Sequence, residues 1–261
     1  MKKVLLVFTI LIVSAIAVGA YFYLKSPSQE EVSDPTLLRI KEAGKITVGA
    51  EATYPPMESI DEKGEMIGFD MDLAKEIAAD LDVSVEFVNI PWDDIFTSLV
   101  EGKVDMLISS VTILPERTKD MAFSDPYFNA GQVIIVTEDN QDIKGPGDLQ
   151  GKKVGLQKGT TSEFEILNYL DEDSIVDYDN YAPAPDDLKA GKIDAIIIDY
   201  PAGLGILKNH TGVKLVGNPF TQEFYGVAVQ KTDQVLLTEI NKTIRDLKQS
   251  GQFKELEQKW F

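Results

Sequence analysis

From about residue 36 onward the chain alternates short β-rich runs with stretches of helical periodicity, and this alternation restricts it to an α/β architecture. The first series reads as helix 36–43, strand 45–50, helix from Gly68-Phe69-Asp70, strand 83–89, helix 92–101, strand 104–109 and strand 132–137. Asp70 is placed to cap its helix, with Leu73, Ile77 and Leu81 following at helical spacing. A second series repeats the plan: strand 153–157, helix 161–170, helix 184–190, strand 193–198, helix 201–208, strand 223–229, and two closing helices at 235–249 and 251–260. Such alternation implies parallel sheets covered by helices on both faces. Gly102-Lys103-Val104-Asp105 and Gly191-Lys192-Ile193-Asp194 echo one another, each a glycine turn leading into a buried strand. Two similar halves imply a cleft between them, and open α/β sheets collect ligands at the carboxyl ends of their strands.

Four strand ends carry polar chemistry. After 104–109 come Ser110, Thr112 and Arg117; the planar fork of an arginine holds a carboxylate with two parallel hydrogen bonds. A helix cap beside a surface arginine is the competing reading. After 153–157, Gln157 is followed by Lys158-Gly159-Thr160-Thr161, where a glycine turn meets a helix start and its free N–H groups. A capping box from Thr160 to Glu163 fits the same residues, and the spacing is not that of a P-loop. Asp199 ends an apolar strand and needs a cationic partner or, alternatively, caps the next helix. Glu51 and Tyr54 precede a stiff Pro55-Pro56 turn, and Trp92 opens a helix; an aromatic face there attracts a cation or simply packs. Taken together, Arg117 with the Thr161 N–H suits an α-carboxylate. Asp199 with Ser110 and Thr112 suits an α-ammonium. Glu51, Tyr54 and Trp92 remain for a side chain.

Bulk properties narrow the partners. The formal charge is −18, and without Lys2, Lys3 and Lys25 the body holds 22 basic against 43 acidic residues, which disfavours nucleic acid and anionic lipid. There is no cysteine, which excludes disulfides, thiolate metal sites and a lipid-modified cysteine anchor. His210, the one histidine, sits in a turn-like stretch without spaced partners, so neither a metal site nor Ser-His-Asp chemistry is expected, and no cofactor is implied. Lys2 and Lys3 precede an apolar run over 4–24, long enough to cross a hydrocarbon core of about 30 Å, with the remainder exported. Cleavage near Ala17 or Ala20 competes with an uncleaved anchor, and the aromatic extension at 21–23 favours the anchor. Residues 26–35 read as a tether.

The stretches at 50–58 (AEATYPPME), 68–74 (GFDMDLA), 109–117 (SSVTILPER), 123–127 (FSDPY), 159–163 (GTTSE), 194–199 (DAIIID) and 259–261 (KWF) resemble the family 3 solute-binding proteins of polar amino-acid importers. The resemblance implies a two-lobe, type II binding-protein fold: lobe 1 from 36–126 plus 228–261, lobe 2 from 132–222, and hinge strands at 127–131 and 223–227. It implies an extracytoplasmic, monomeric protein that closes on a free amino acid and delivers it to an ABC permease. Arg117, Thr112 and Thr161 would hold the carboxylate, with Thr160 alongside, and Asp199, Ser110 and Thr112 the ammonium. Glutamine binders of the family usually carry aspartate, phenylalanine, lysine and histidine where Glu51, Trp92, Gln157 and Ile198 stand here. An acid with two aromatics looks more like the arginine and lysine binders. Arginine is therefore expected first, then lysine or histidine, then glutamine. An enzyme on the same fold, resembling the cyclohexadienyl dehydratases, is the alternative, with Glu51 its obvious acid or base. A sensor module is disfavoured because no further domain follows Phe261.

Overall fold

The computed structural model describes residues 34–261. The apolar run and most of the tether lie outside the described residues. The tether's last two residues prove to be part of the fold. Asp34 caps α1 (Pro35–Ala43), accepting from Leu37 N at 3.0 Å, and its other oxygen accepts from Leu236 N at 3.0 Å. Pro35 takes the first helical position, where its missing N–H costs nothing. Gly44, at φ 66°, ends the helix in the left-handed conformation.

The chain then runs through β1 (Lys45–Ala50) and a small antiparallel sheet of β2 (Thr53–Tyr54), β3 (Glu58–Ile60) and β4 (Met66–Ile67). Next come α2 (Phe69–Asp80), β5 (Ser84–Asn89), α3 (Trp92–Val100), β6 (Met106–Leu107) and β7 (Met121–Phe123). A short strand, β8 (Phe128–Ala130), leads straight into β9 (Gln132–Thr137). The second series is β10 (Val154–Gln157), α4 (Thr161–Ile166), β11 (Ile175–Tyr178), α5 (Ala184–Lys189), β12 (Ala195–Asp199), α6 (Tyr200–Asn209) and β13 (Val213–Val216). The chain returns through β14 (Glu223–Tyr225) and β15 (Ala228–Gln230) and ends in α7 (Gln234–Ser250) and α8 (Gln252–Trp260).

Two five-stranded sheets result, ordered β5-β1-β6-β15-β7 and β11-β10-β12-β9-β13, and the pair β14-β8 lies between them in the chain path. They are mixed rather than parallel as expected. β1, β5 and β6 run parallel, as do β10, β11 and β12, but β15, β7, β9 and β13 pair antiparallel. Parallel neighbours need a long crossover; β9 and β15 instead arrive directly from the other half of the molecule, with no covering helix between.

The echo seen in the sequence has a physical basis. Asp105 donates its N–H to Thr47 O at 2.9 Å and accepts from Thr47 N at 2.7 Å. Asp194 does the same with Lys153, at 2.7 and 2.8 Å. Each aspartate thus locks its strand's entry to the neighbouring strand, after a glycine held at φ 71° (Gly102) or 70° (Gly191).

Several boundaries differ from expectation. β6 pairs over only two residues, because Ser110 at φ 51° turns the chain out of the sheet and presents Ser109 and Ser110 at the strand end. α4 stops at Ile166, where the backbone bonding shifts to tighter three-residue turns. The returning strand 223–229 is two strands: Gly226, packed against Ile113 and Phe123, lets the chain leave β8 and join β6. Asp70 does not cap α2. Gly68 holds the cap, and Asp70, fully buried, accepts from Ser110 N at 2.7 Å and Tyr127 Oη at 2.9 Å. The closing KWF stretch docks on the same helix. Trp260 Nε1 and Lys259 Nζ both donate to Asp72, while the Phe261 and Phe253 rings pack on Phe69.

Candidate functional site

Each half offers its strand ends to one narrow cavity. All ten residues singled out in the sequence line it: Glu51, Tyr54, Trp92, Ser110, Thr112 and Arg117 from the first half, and Gln157, Thr160, Thr161 and Asp199 from the second. Glu58, Ser109 and Ser162 line it too, unanticipated. The repeated glutamate at the end of AEATYPPME was visible as a motif, but nothing in a period-2 or period-3.6 pattern says that Glu58 points inward. It does so because β3 folds back on β2, opposite Tyr54.

Asp199 stands at the N-cap position of α6 yet makes no capping bond. Its carboxylate accepts instead from the Gln132 amide and the Tyr225 hydroxyl, and its backbone N–H donates to Tyr54 Oη at 3.3 Å. Gln132 Nε2 also reaches Glu223 Oε1 at 3.0 Å and Thr161 Oγ1 at 3.1 Å, while Ser162 Oγ donates back to Gln132 Oε1 at 2.7 Å. Gln132, Glu223 and Tyr225 thus form a polar floor that no strand-end pattern announces, because they lie on the crossing strands. Burial, and next the nearby Glu223 carboxylate, push the Asp199 carboxyl up to about 7. A buried acid so placed gains strongly from a cationic partner.

Arg117 sits in a single 3₁₀ turn and donates Nη1 to Thr112 O at 2.8 Å. Its guanidinium lies 4.7 Å from the Phe96 ring centre and 5.5 Å from that of Trp92. Loss of hydration lowers it to about 10, against the opposing pull of Asp199 and Glu223, so it stays charged at neutral pH. Thr112 Oγ1 donates to Glu223 Oε2 at 3.1 Å. Thr160 makes no capping bond to α4; its hydroxyl donates to Gln157 O at 2.7 Å, and Glu163 accepts from Gly159 N at 2.6 Å. The expected Thr160–Glu163 capping box is therefore only half formed, and shifted by one residue.

Three direct hydrogen bonds cross from one half to the other around the cavity. Gln157 Nε2 donates to Glu51 Oε2 at 2.8 Å, Trp92 Nε1 donates to Gly159 O at 3.1 Å, and Asp199 N bonds Tyr54 Oη. Burial raises the Glu51 carboxyl above its ordinary range, and the Gln157 bond opposes this. Trp92, read in the sequence as either a cation-attracting face or a packing residue, is tethered through its indole N–H and packed edge-on to Phe96 at 5.1 Å. Among the described residues no group of three or more histidine or acidic side chains is arranged for a metal ion. No helix among them is long and apolar enough to cross a membrane.

The model of the bacterial extracellular solute-binding proteins, family 3, matches residues 46–261. The chain belongs to this family. Among curated relatives of this family 3 protein, the L-cystine-binding protein TcyJ of Escherichia coli K12 is 34% identical, over 95% of this chain and 93% of its own. The ABC transporter arginine-binding protein 1 of the same strain is also 34% identical, over 84% and 91%. A crystal structure of a mutant ArgBP from T. maritima superposes with TM-score 0.81 at 41% identity, over 87% of this chain and 99% of its own. An ancestral arginine-binding protein, solved with arginine and with glutamine, matches with TM-score 0.79 at 43–44% identity, over 84% of this chain and 98% of its own. These neighbours share the two-lobe fold, and the family's relatives are amino-acid-binding proteins.

Proposed function

We propose that this protein captures a free amino acid outside the cytoplasmic membrane and hands it to an ABC permease. The observation that carries this reading is the opposed charge within one cavity. Arg117 suits an α-carboxylate, and Asp199, on the facing half, suits an α-ammonium. Thr112 and Thr161 assist the carboxylate, and Ser110 the ammonium. Glu51, Tyr54 and Trp92 line the remaining space and favour a cationic side chain: arginine first, then lysine or histidine, then glutamine. The β8 and β14 segments serve as the hinge, and ligand bridging both halves favours the closed form by its differential affinity. The protein acts as a monomer held at the membrane by its N-terminal segment, and it releases its ligand unchanged.

Titration calorimetry with the free amino acids tests the ligand. Arginine should bind in the nanomolar-to-micromolar range; silent arginine beside tight glutamine would reverse the preference, and no amino acid binding at all would end the reading. Mass spectrometry of the recovered ligand tests the transport role, since a transformed product would make the protein an enzyme.

A further inference from the structure

Glu58 and Asp70 form a buried pair of acids that ligand capture, as proposed above, does not use. Glu58 is 1% exposed and Asp70 is 0% exposed, and Ser110 bridges them, its N–H on Asp70 Oδ2 and its hydroxyl on Glu58 Oε2. Glu58 receives Ser109 Oγ at 3.1 Å and Ser110 Oγ at 3.3 Å. Asp70 Oδ2 receives Ser110 N and Tyr127 Oη, but Asp70 Oδ1 is buried with no partner. Among the described residues neither acid forms an ion pair with a lysine or arginine. The titratable groups that face them are Glu51 from the end of β1, Tyr54 from β2 and Tyr127 beside β8, none of them cationic. An unpartnered buried carboxylate oxygen against a second carboxylate is a costly arrangement unless a proton joins them.

We propose that Glu58 and Asp70 hold one proton between them, with a Glu58 carboxyl O–H donating to Asp70 Oδ1. One proton then gives the orphaned oxygen its partner and removes a like-charge repulsion. Burial first, and for Glu58 next the Asp70 charge, move both carboxyls upward in the same sense. Asp70 keeps the charge because it receives an N–H and a phenolic O–H. Glu58, which lines the cavity, stands there as an uncharged wall. The acid left to read a cationic ligand side chain is therefore Glu51. Only this consequence for ligand selection rests on the function proposed above.

Carboxyl carbon NMR of the ¹³C-labelled protein tests the protonation without any ligand, the two resonances being assigned with Glu58→Gln and Asp70→Asn. At neutral pH Glu58 should show the shift of a protonated acid and Asp70 that of a carboxylate. Two ionised shifts would overturn the proposal. In Glu58→Gln an amide N–H takes the place of the carboxyl O–H toward the same oxygen; an arginine-selective loss of about tenfold or more in this variant, with glutamine binding spared, would mean that Glu58 is ionised and would also overturn the proposal. If Glu58→Gln does not fold, the NMR titration of the unaltered protein, assigned from Asp70→Asn and residual couplings, still decides. Absence of any amino-acid binding would sink the proposed function and leave this protonation reading to the NMR alone.

Discussion

Gly205 lies in α6 with its Cα against the Pro55–Pro56 turn of the opposite half. A methyl group built there would meet Pro55 O at 2.2 Å, Pro55 C at 2.8 Å and Pro56 Cδ at 2.9 Å. Real Cβ contacts essentially never fall below 3.0 Å, so α6 and the Pro55–Pro56 turn must move apart by at least 0.8 Å at this point. A parting of that size stretches the Asp199 N to Tyr54 Oη bond beyond hydrogen-bonding range and lengthens the Gln157–Glu51 and Trp92–Gly159 bonds that cross beside it. At roughly 0.5–1.5 kcal/mol each, losing two or three such bonds weakens the closed form by about 1–4 kcal/mol. Gly205→Ala should accordingly raise the Kd for arginine by about 5- to 1,000-fold. Within the second half alone the same change favours the helix, by about 1 kcal/mol. The expected result is thus a pair of opposite signs: unchanged or higher melting temperature without ligand, and much weaker binding by calorimetry. Unchanged affinity would refute the reasoning, because the contact against Pro55 would then not belong to the ligand-holding state.

Arg117→Ala should weaken amino-acid binding by about 2–5 kcal/mol, measured by calorimetry, because it leaves a ligand carboxylate unpaired; near-normal binding would displace the carboxylate assignment. Glu51→Gln should weaken arginine by about 1.5–3 kcal/mol while leaving glutamine nearly unaffected in competition titrations. Asp199, raised to about 7, must lose its proton to face an ammonium, so the arginine Kd should rise by up to about tenfold per pH unit below 7 and level off above it. The ligand-free protein has the opposite linkage at this residue. A carboxyl with a raised folded pKa contributes stability below its unfolded value and loses it as pH rises through about 7, so the ligand-induced increase in melting temperature should grow with pH.

Much of this was legible in the chain because it depended on local chemistry. β1 and β9 begin and end where the β-rich runs do, since their flanks carry strong punctuation: Gly44 before one and Gly131 before the other. The strand-end rule located ten of the thirteen lining residues because these lie at or beyond strand ends or open a helix in an α/β frame. What sequence could not give were features set by distant packing. Gln132 and Glu223 meet across 91 residues on the two crossing strands, and no local pattern announces that. Asp70 has the composition of a helix cap, but a backbone N–H 40 residues away and a tyrosine 57 residues away outcompete the cap. β6 looked long because its apolar run continues to Ile108, whereas the left-handed turn at Ser110 ends the pairing early.

The position of β15 between β6 and β7 has a consequence for how the chain matures. Strands β9 to β13 are contiguous, and their sheet can close as soon as residue 216 has emerged. The other sheet cannot: the seat between β6 and β7 stays empty until residues 228–230 arrive, more than 100 residues after β6. Late, non-local closure is slow. The half that is synthesised first is therefore the half that finishes last, and until then it presents two unpaired strand edges that invite premature association or the attention of a chaperone.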